Sequence, residues 1–128
     1  MGRIKLVAPI KSLIEDVLRD LRKIGGIIVS AAITRDGLLI ASEMSGELNA
    51  ETFAAMTATM TGAAETAMSE VKAGHIQRVI VEGETARIVS IGAGPKALLV
   101  VLTEPEASLG LILLKIDDAS RKIAKLLE

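Results

Sequence analysis

Five apolar residues follow one another without interruption in the run Leu98–Leu102. A strand with one face in water alternates apolar and polar side chains, whereas an unbroken apolar run is typical of a strand that is covered on both faces. Such a strand belongs at the centre of a sheet, and covering both faces of a sheet requires helices on both sides. This one run therefore predicts three layers, with a sheet between helices.

Four further apolar runs predict the other strands of that sheet. Asp36-Gly37 lies between the first two runs and supplies the positive φ angles of a tight hairpin turn, so these strands should be antiparallel neighbours. Gly83-Glu84 and the segment 92–96 provide the turns of a three-stranded meander. The predicted strands are Ile27–Thr34, Leu38–Ser42, Ile76–Glu82, Thr85–Gly92 and Ala97–Leu102.

Three segments with helical apolar spacing predict the helices. Ser12 and Glu15 have the spacing of a capping box, so the first helix should begin at Ser12. Asn49 is a suitable N-cap for the long second helix, which should continue to residue 72 because Gly74 follows. The third helix should begin between Thr103 and Ser108.

The predicted fold is α+β, a three-layer α/β/α sandwich around a five-stranded antiparallel sheet. The order of elements is helix, two strands, helix, three strands, helix. The long helix should cover one face of the sheet and the two terminal helices the other. Residues 12–128 form one domain in this interpretation, after an N-terminal extension of residues 1–11, and residues 43–47 form a loop.

The long helix 49–72 has a broad apolar stripe and a second side of mostly small residues. We interpret the broader apolar stripe as the side that packs on the sheet, and it contains Phe53, Met56, Met60, Ala63, Ala64, Ala67 and Val71. The second side is a flank of mostly small residues, which allow another helix to approach closely. We predict self-association through this flank, although a solvated alanine-rich face is the simpler alternative. The flank contains Ala54, Thr57, Ala58, Thr61, Glu65 and Met68.

The sequence contains no recognisable catalytic constellation. Its single histidine, His75, cannot supply a usual metal-ligand set and is expected at the surface or an interface. The glycine-rich segment 92–96 leads into a strand, whereas a phosphate-binding loop leads into a helix, so we interpret it as a turn. We expect a protein that is not an enzyme and that has no cofactor and no metal.

Charge and aromatic content argue against two classes of partner. The net charge is −1 and Phe53 is the only aromatic residue, so a basic stripe and aromatic stacking groups for nucleic acid are both missing. The basic residues of the first and last helices alternate with acidic ones, which favours an ordinary mixed-charge surface. No run approaches the roughly 20 apolar residues of a membrane span, and there is no cysteine. We expect a cytoplasmic protein with no nucleic-acid partner and no membrane insertion.

Several residues in this order resemble landmarks of the Roadblock/dynein light chain domain family, and the resemblance covers about residues 12–127. They are Val17–Leu21, Ile24–Gly26, Ile33–Ala41, the Ala/Thr/Met helix, Val79–Gly83 and Ala107–Leu111. The resemblance implies a Roadblock/profilin-like fold. It also implies dimers in which the long helices pack together and edge strands join the two sheets. In this chain the edge strand would be His75–Glu82, which adds Gln77, Val79 and Val81 to the predicted dimer interface.

Members of this family act as adaptors and regulators of small Ras-like GTPases, as dynein subunits, or as bacterial polarity regulators that stimulate a Ras-like GTPase. The resemblance therefore implies a homodimeric adaptor or regulator that binds a small Ras-like GTPase, with single-domain prokaryotic regulators closest in organisation. One alternative is a small-molecule sensor of similar shape, for which Ser30 and Ser90 are the main inward polar candidates. Another is a purely structural subunit of a larger complex.

Overall fold

The computed structural model describes residues 8–44 and 48–128. Residues 1–7 of the predicted extension and residues 45–47 of the predicted loop lie outside the described residues. The predicted order of helices and strands is confirmed. The elements are α1 (Ala8–Arg22), β1 (Ile27–Thr34), β2 (Leu39–Met44), α2 (Ala50–Glu70), β3 (Arg78–Glu82), β4 (Arg87–Ala93), β5 (Ala97–Thr103) and α3 (Leu109–Leu126). Strand β2 includes Glu43 and Met44, which were predicted to lie in the loop.

The five strands form one antiparallel sheet in the order β2-β1-β5-β4-β3. The strand with the unbroken apolar run, β5, lies at the centre as predicted, and Leu98, Leu99, Val100 and Val101 are all buried. The edges of the sheet are β2 and β3. The prediction that the edge strand would lie in the segment 75–82 is confirmed, although the strand itself begins only at Arg78.

The three layers are also confirmed. The larger hydrophobic cluster lies between the sheet and the helices α1 and α3, where Ile14, Leu18, Ile112 and Ile116 are fully buried. The smaller cluster lies on the opposite face between the sheet and α2. Since α2 is the only helix described on its face, its orientation determines how much of the sheet is left open there.

The helix starts were predicted correctly for α2 and α3 but not for α1. The side chain of Asn49 accepts a hydrogen bond of 3.0 Å from the amide of Thr52, and Ser108 caps α3 in the same way. Helix α1 begins at Ala8, so Ser12 lies within the helix and the predicted capping box is wrong. Pro9 explains the earlier start, because proline is tolerated in the first turn of a helix, where its missing N–H has no intrahelical partner.

Candidate functional site

The side of α2 that packs on the sheet is not the predicted one. The buried residues of the helix are Ala54, Thr57, Ala58 and Thr61, which were assigned to an outer flank. Their small side chains let the helix lie close to the sheet and to the β1–β2 turn. At that turn a Cβ atom added to Gly37 would lie 3.2 Å from the Cα of a residue in α2. These four residues therefore belong to the core of one chain, and their assignment to a surface flank is wrong.

The apolar stripe assigned to the core lies on the opposite and lateral sides of α2. Met56 is 60% exposed and Val71 is 70% exposed. Ala63 and Ala67 are also exposed, whereas Phe53, Met60 and Ala64 are half-buried. The prediction that this stripe packs on the sheet is wrong, except that Phe53 borders the smaller cluster. The larger apolar side chains of the helix are thus the ones that remain accessible.

Next to this stripe, the β4–β3 side of the sheet is only partly covered. Helix α2 packs on β1 and β2 and reaches β4 through a buried hydrogen bond of 3.1 Å between Thr61 and Ser90. Val79 pairs with Ser90, so Val79 and Val81 lie on the same face of the sheet as α2. Val79 is half-buried and Val81 is 40% exposed, and both belong to the edge strand. This part of the sheet is open beside α2.

An open groove separates the C-terminal half of α2 from the edge strand β3. Its volume is about 540 Å³, and Ala64 and Met68 line it on the side of the helix. The opposite wall is the segment 75–80, which includes His75 and Gln77. We call the whole region the α2–β3 surface; it consists of Met56, Met60, Ala63, Ala64, Ala67, Met68 and Val71 of α2 together with Gln77, Val79 and Val81.

The nine residues predicted for a dimer interface divide into two groups. Four lie on the side of α2 that packs on the sheet, as described above. Of the rest, Met68, Gln77, Val79 and Val81 lie on the α2–β3 surface, and Glu65 is half-exposed and pairs with Arg35 at 3.2 Å. That these five take part in a dimer interface stays a prediction. The residues that sequence reasoning missed are the exposed members of the stripe, because helical spacing identified an apolar side without indicating which way it faced.

The two serines considered for a sensor pocket are bonded within the chain. Ser30 donates a buried hydrogen bond of 2.8 Å to the carbonyl of Leu18, and Ser90 shares one with Thr61. A second cavity, of about 30 Å³ and lined in part by Ser90, has room for one water molecule. These serines therefore link elements of the chain by hydrogen bonds. Neither serine offers a free inward polar group for ligand binding.

Potential catalytic and metal-binding residues are dispersed in the structure. His75 is exposed, as expected for a surface or interface residue. Among residues 8–44 and 48–128, no three His, Asp or Glu side chains are grouped so that they could hold a metal ion. Within the segment 92–96, Gly92 and Ala93 end β4 and residues 94–96 form the turn into β5, so the segment leads into a strand as predicted. None of the helices in the described part of the chain is long and apolar enough to cross a membrane.

The face formed by α1 and α3 has mixed charge, as predicted. Arg19 pairs with Asp16 at 2.7 Å, and this hydrogen bond raises the pKa of the already basic Arg19. On α3, Lys122 pairs with Asp118 at 3.2 Å. Opposite charges on adjacent helical turns neutralise each other locally, so this face offers no strong positive field to an acidic partner.

The element order, the sheet order and the two unequal cores define an α+β domain of the Roadblock type. The sequence profile of the Roadblock/LC7 domain matches residues 13–103. The chain belongs to the Roadblock/LC7 domain family, which confirms the resemblance seen in the sequence.

The same family likeness extends over nearly the whole chain. It is 38% identical over 111 residues to the uncharacterized protein MJ1340 of Methanocaldococcus jannaschii, a match that covers 87% of this chain and 96% of the relative. Two solved structures are similar at 21% identity: MglB with a tetrameric arrangement, and the gliding protein MglB from Thermus thermophilus. The first has a TM-score of 0.92 over 99% of this chain and 96% of that chain, and the second 0.90 over 99% and 97%. At this identity the likeness to the two structures establishes the fold.

Proposed function

We propose that the protein is a non-enzymatic, homodimeric adaptor or regulator that binds a small Ras-like GTPase in the cytoplasm. The observation that carries the proposal is the α2–β3 surface. It joins a partly exposed apolar helix flank to an unpaired edge strand within one small domain. Membership of the Roadblock/LC7 family supports a regulatory role, because regulation of small Ras-like GTPases is what the resemblance implies.

The edge strand β3 supports self-association through the main chain. An edge strand presents unpaired N–H and C=O groups, which a second strand can pair. The described residues of this edge provide Val79, Ile80 and Val81, none of which is charged, and Ile80 is 38% exposed. If two copies of β3 pair in antiparallel fashion, the same patch of each chain meets the other across a two-fold axis. The two sheets then become continuous.

The exposed apolar side chains of α2 support the same association. A two-fold pairing of β3 brings the α2 helices of both chains to one side of the joined sheet, above the part that a single α2 leaves open. Met56, Met68 and Val71 would then leave water, and burial of each large apolar side chain stabilises by about 1.5–3 kcal/mol relative to full exposure, or part of that at partial exposure. A stable interface buries roughly 1,200–2,000 Å² in total, a size that a strand edge together with a helix flank can supply.

Three of the seven arginines, those on or next to the sheet, favour regulation by positioning over insertion of one of these three side chains into the partner's active site. Arg35 is bonded to Glu65, and Arg78 pairs with Asp117 at 3.4 Å. Arg87 donates to two backbone carbonyls at 3.0 and 3.3 Å. An arginine supplied to the transition state of a GTPase must be free to reach it. Because these three are engaged inside the chain, their contribution to the proposed regulation is to hold the fold, and positioning of the GTPase's own groups is the favoured mode of action.

Sedimentation equilibrium tests the dimer. We expect about twice the 13.4 kDa of one chain at micromolar concentration. Val81→Glu places a charge at the proposed seam and should shift the mass to that of a monomer. Leu38→Glu is the matched control, because Leu38 is 53% exposed on the β1–β2 turn, away from the α2–β3 surface. A wild-type protein whose mass stays that of one chain throughout the micromolar range would contradict the dimer.

A binding experiment tests whether the partner is a small GTPase. The purified protein is mixed with each small GTPase of the host, loaded with GDP or with a non-hydrolysable GTP analogue. We expect binding to at least one GTPase, with a preference for one nucleotide state if the protein regulates the cycle. Measured rates of hydrolysis and nucleotide exchange then separate an activator from an exchange factor. Binding without any change in either rate would indicate a scaffold, and the absence of binding in both states would refute the GTPase proposal.

A further inference from the structure

The two halves of α2 differ in how much of their surface is buried against the sheet. The N-terminal half, up to Thr61, contains the four buried residues of the helix. Beyond Thr61, residues 62–73 are exposed apart from the half-buried Ala64. This second half forms one wall of the groove at the α2–β3 surface. Its position relative to β3 therefore determines the width of the groove, although little of its own surface is buried against the sheet.

Arg35 connects this exposed half of α2 to two turns. Its Nη1 donates to Glu65 Oε2 at 3.2 Å, and its Nη2 donates to the backbone carbonyl of Gly94 at 3.0 Å. Arg35 itself belongs to the β1–β2 turn, and Gly94 to the β4–β5 turn. One guanidinium group thus links a helix to two loops from different parts of the sheet, in the planar forked geometry that arginine provides and lysine does not.

Gly92 makes room for this guanidinium group. A Cβ atom at position 92 would lie 2.7 Å from Nη2 of Arg35, a distance shorter than any normal contact. Gly92 pairs with Leu98 in the sheet and does not have a positive φ, so backbone conformation does not demand glycine at this position. The absence of a side chain matters here because it lets Arg35 lie across the strand.

We propose that Arg35 is a positioning residue for the α2–β3 surface. It holds the C-terminal half of α2 at the angle that keeps the groove open to a second copy of the chain. The inference rests on the proposed homodimer. It also changes the role of Glu65, which was predicted to be a direct interface contact. In this proposal Glu65 accepts the hydrogen bond from Arg35, and a second copy contacts the neighbouring Ala64 and Met68.

The expected effect is larger on association than on global stability. An ion pair at this level of exposure contributes little to the stability of the fold. Reorientation of a half-helix is a local equilibrium, however, and can change without global unfolding. If only a tenth of the molecules keep the competent orientation after the link is removed, the dissociation constant of the dimer rises about tenfold for each affected chain.

Three variants test the role of Arg35. Arg35→Gln removes both donors to Glu65 and Gly94, whereas Gly92→Ala displaces the guanidinium without changing any charge. Arg19→Gln is the control, because Arg19 forms an exposed ion pair on the opposite face of the sheet. We expect the first two variants to raise the dissociation constant at least about tenfold and to speed hydrogen exchange of the amides in residues 66–70. The control should match the wild type in both measurements.

Thermal unfolding identifies a variant that fails to fold. If Arg35→Gln fails, Glu65→Gln replaces it, because Glu65→Gln removes the ion pair and leaves the hydrogen bond from Arg35 to Gly94. Wild-type dissociation constants and exchange rates in both Arg35→Gln and Gly92→Ala would overturn the positioning role. A monomeric wild-type protein would overturn the homodimer, and with it this role in association. Hydrogen exchange would still report separately whether Arg35 orders the end of α2, so the two failures are distinguishable.

Discussion

The same substitution on opposite sides of α2 discriminates between the two orientations of this helix. Ala54 is fully buried against the sheet, and Ala63 is exposed on the far side. The orientation predicted from the sequence would exchange these environments. Ala54→Leu and Ala63→Leu each add an isopropyl group, and alanine and leucine have nearly equal helix propensity, so the comparison reports packing alone.

The expected magnitudes differ clearly. At Ala54 the added group must enter a closed contact with the smaller cluster, and such overpacking costs about 1–3 kcal/mol. At an exposed position the change stays within about 0.5 kcal/mol. In a chain of 128 residues these values correspond to a fall in Tm of roughly 4–15 °C for Ala54→Leu and of no more than about 3 °C for Ala63→Leu.

Thermal unfolding followed by circular dichroism at one fixed chain concentration measures both variants. Both substitutions are made in the Val81→Glu background, in which the proposed dimer does not form, because Ala63 lies on the α2–β3 surface and association would stabilise the folded state by mass action. An equal loss of Tm in the two variants, or a larger loss for Ala63→Leu, would refute the orientation of α2 described above. It would also remove the basis for placing the α2–β3 surface on the outside of the domain.

Three further predictions test local features by urea denaturation. Gly110→Ala should stabilise α3 by about 0.5–1 kcal/mol, because a Cβ atom there meets nothing within 4 Å; any loss of stability would reveal a contact that the fold does not show. Thr61→Val and Ser90→Ala should each destabilise by about 1–3 kcal/mol and be less than additive when combined, since each leaves the other hydroxyl buried and unpaired; strict additivity would argue against their hydrogen bond. Asn49→Ala should cost about 1 kcal/mol through loss of the N-cap, whereas Asn49→Gly should cost only a few tenths; equal losses would contradict the capping role.

Much of the fold was predictable because local chemistry and the hydrophobic pattern agree along most of the chain. The turn between β1 and β2 contains Asp36-Gly37 as predicted, although of these two residues only Gly37 has a positive φ, of +97°. This short segment contains its own explanation, so the prediction does not depend on the rest of the molecule. The end of the long helix was predicted less exactly: α2 ends at Glu70 and not at residue 72, and Lys72, with a φ of +55°, has the left-handed conformation before Gly74 is reached.

The start of α1 shows where local signals compete. Ser12 and Glu15 match a capping box, yet the helix extends four residues further toward the N-terminus, to Ala8. A capping pattern raises the probability that a helix begins at a position, but it does not prevent the preceding residues from being helical. The orientation of α2, on which the candidate site depends, was harder to predict, since apolar or small residues cover most of the circumference of this helix.

The sequence by itself determined the order of the elements and the central position of β5, because periodicity and turn residues are written into contiguous segments. The edge position of β3 followed from the resemblance to the Roadblock family, which the sequence profile confirmed. Only the tertiary structure decided which side of α2 is buried. Helical spacing defines the sides of a helix relative to one another, and the choice between them depends on how closely the helix can approach the sheet and the β1–β2 turn. The small side chains of Ala54, Thr57, Ala58 and Thr61 permit that approach. Their burial leaves the larger side chains of α2 beside the open edge of the sheet, where the proposed partner binds.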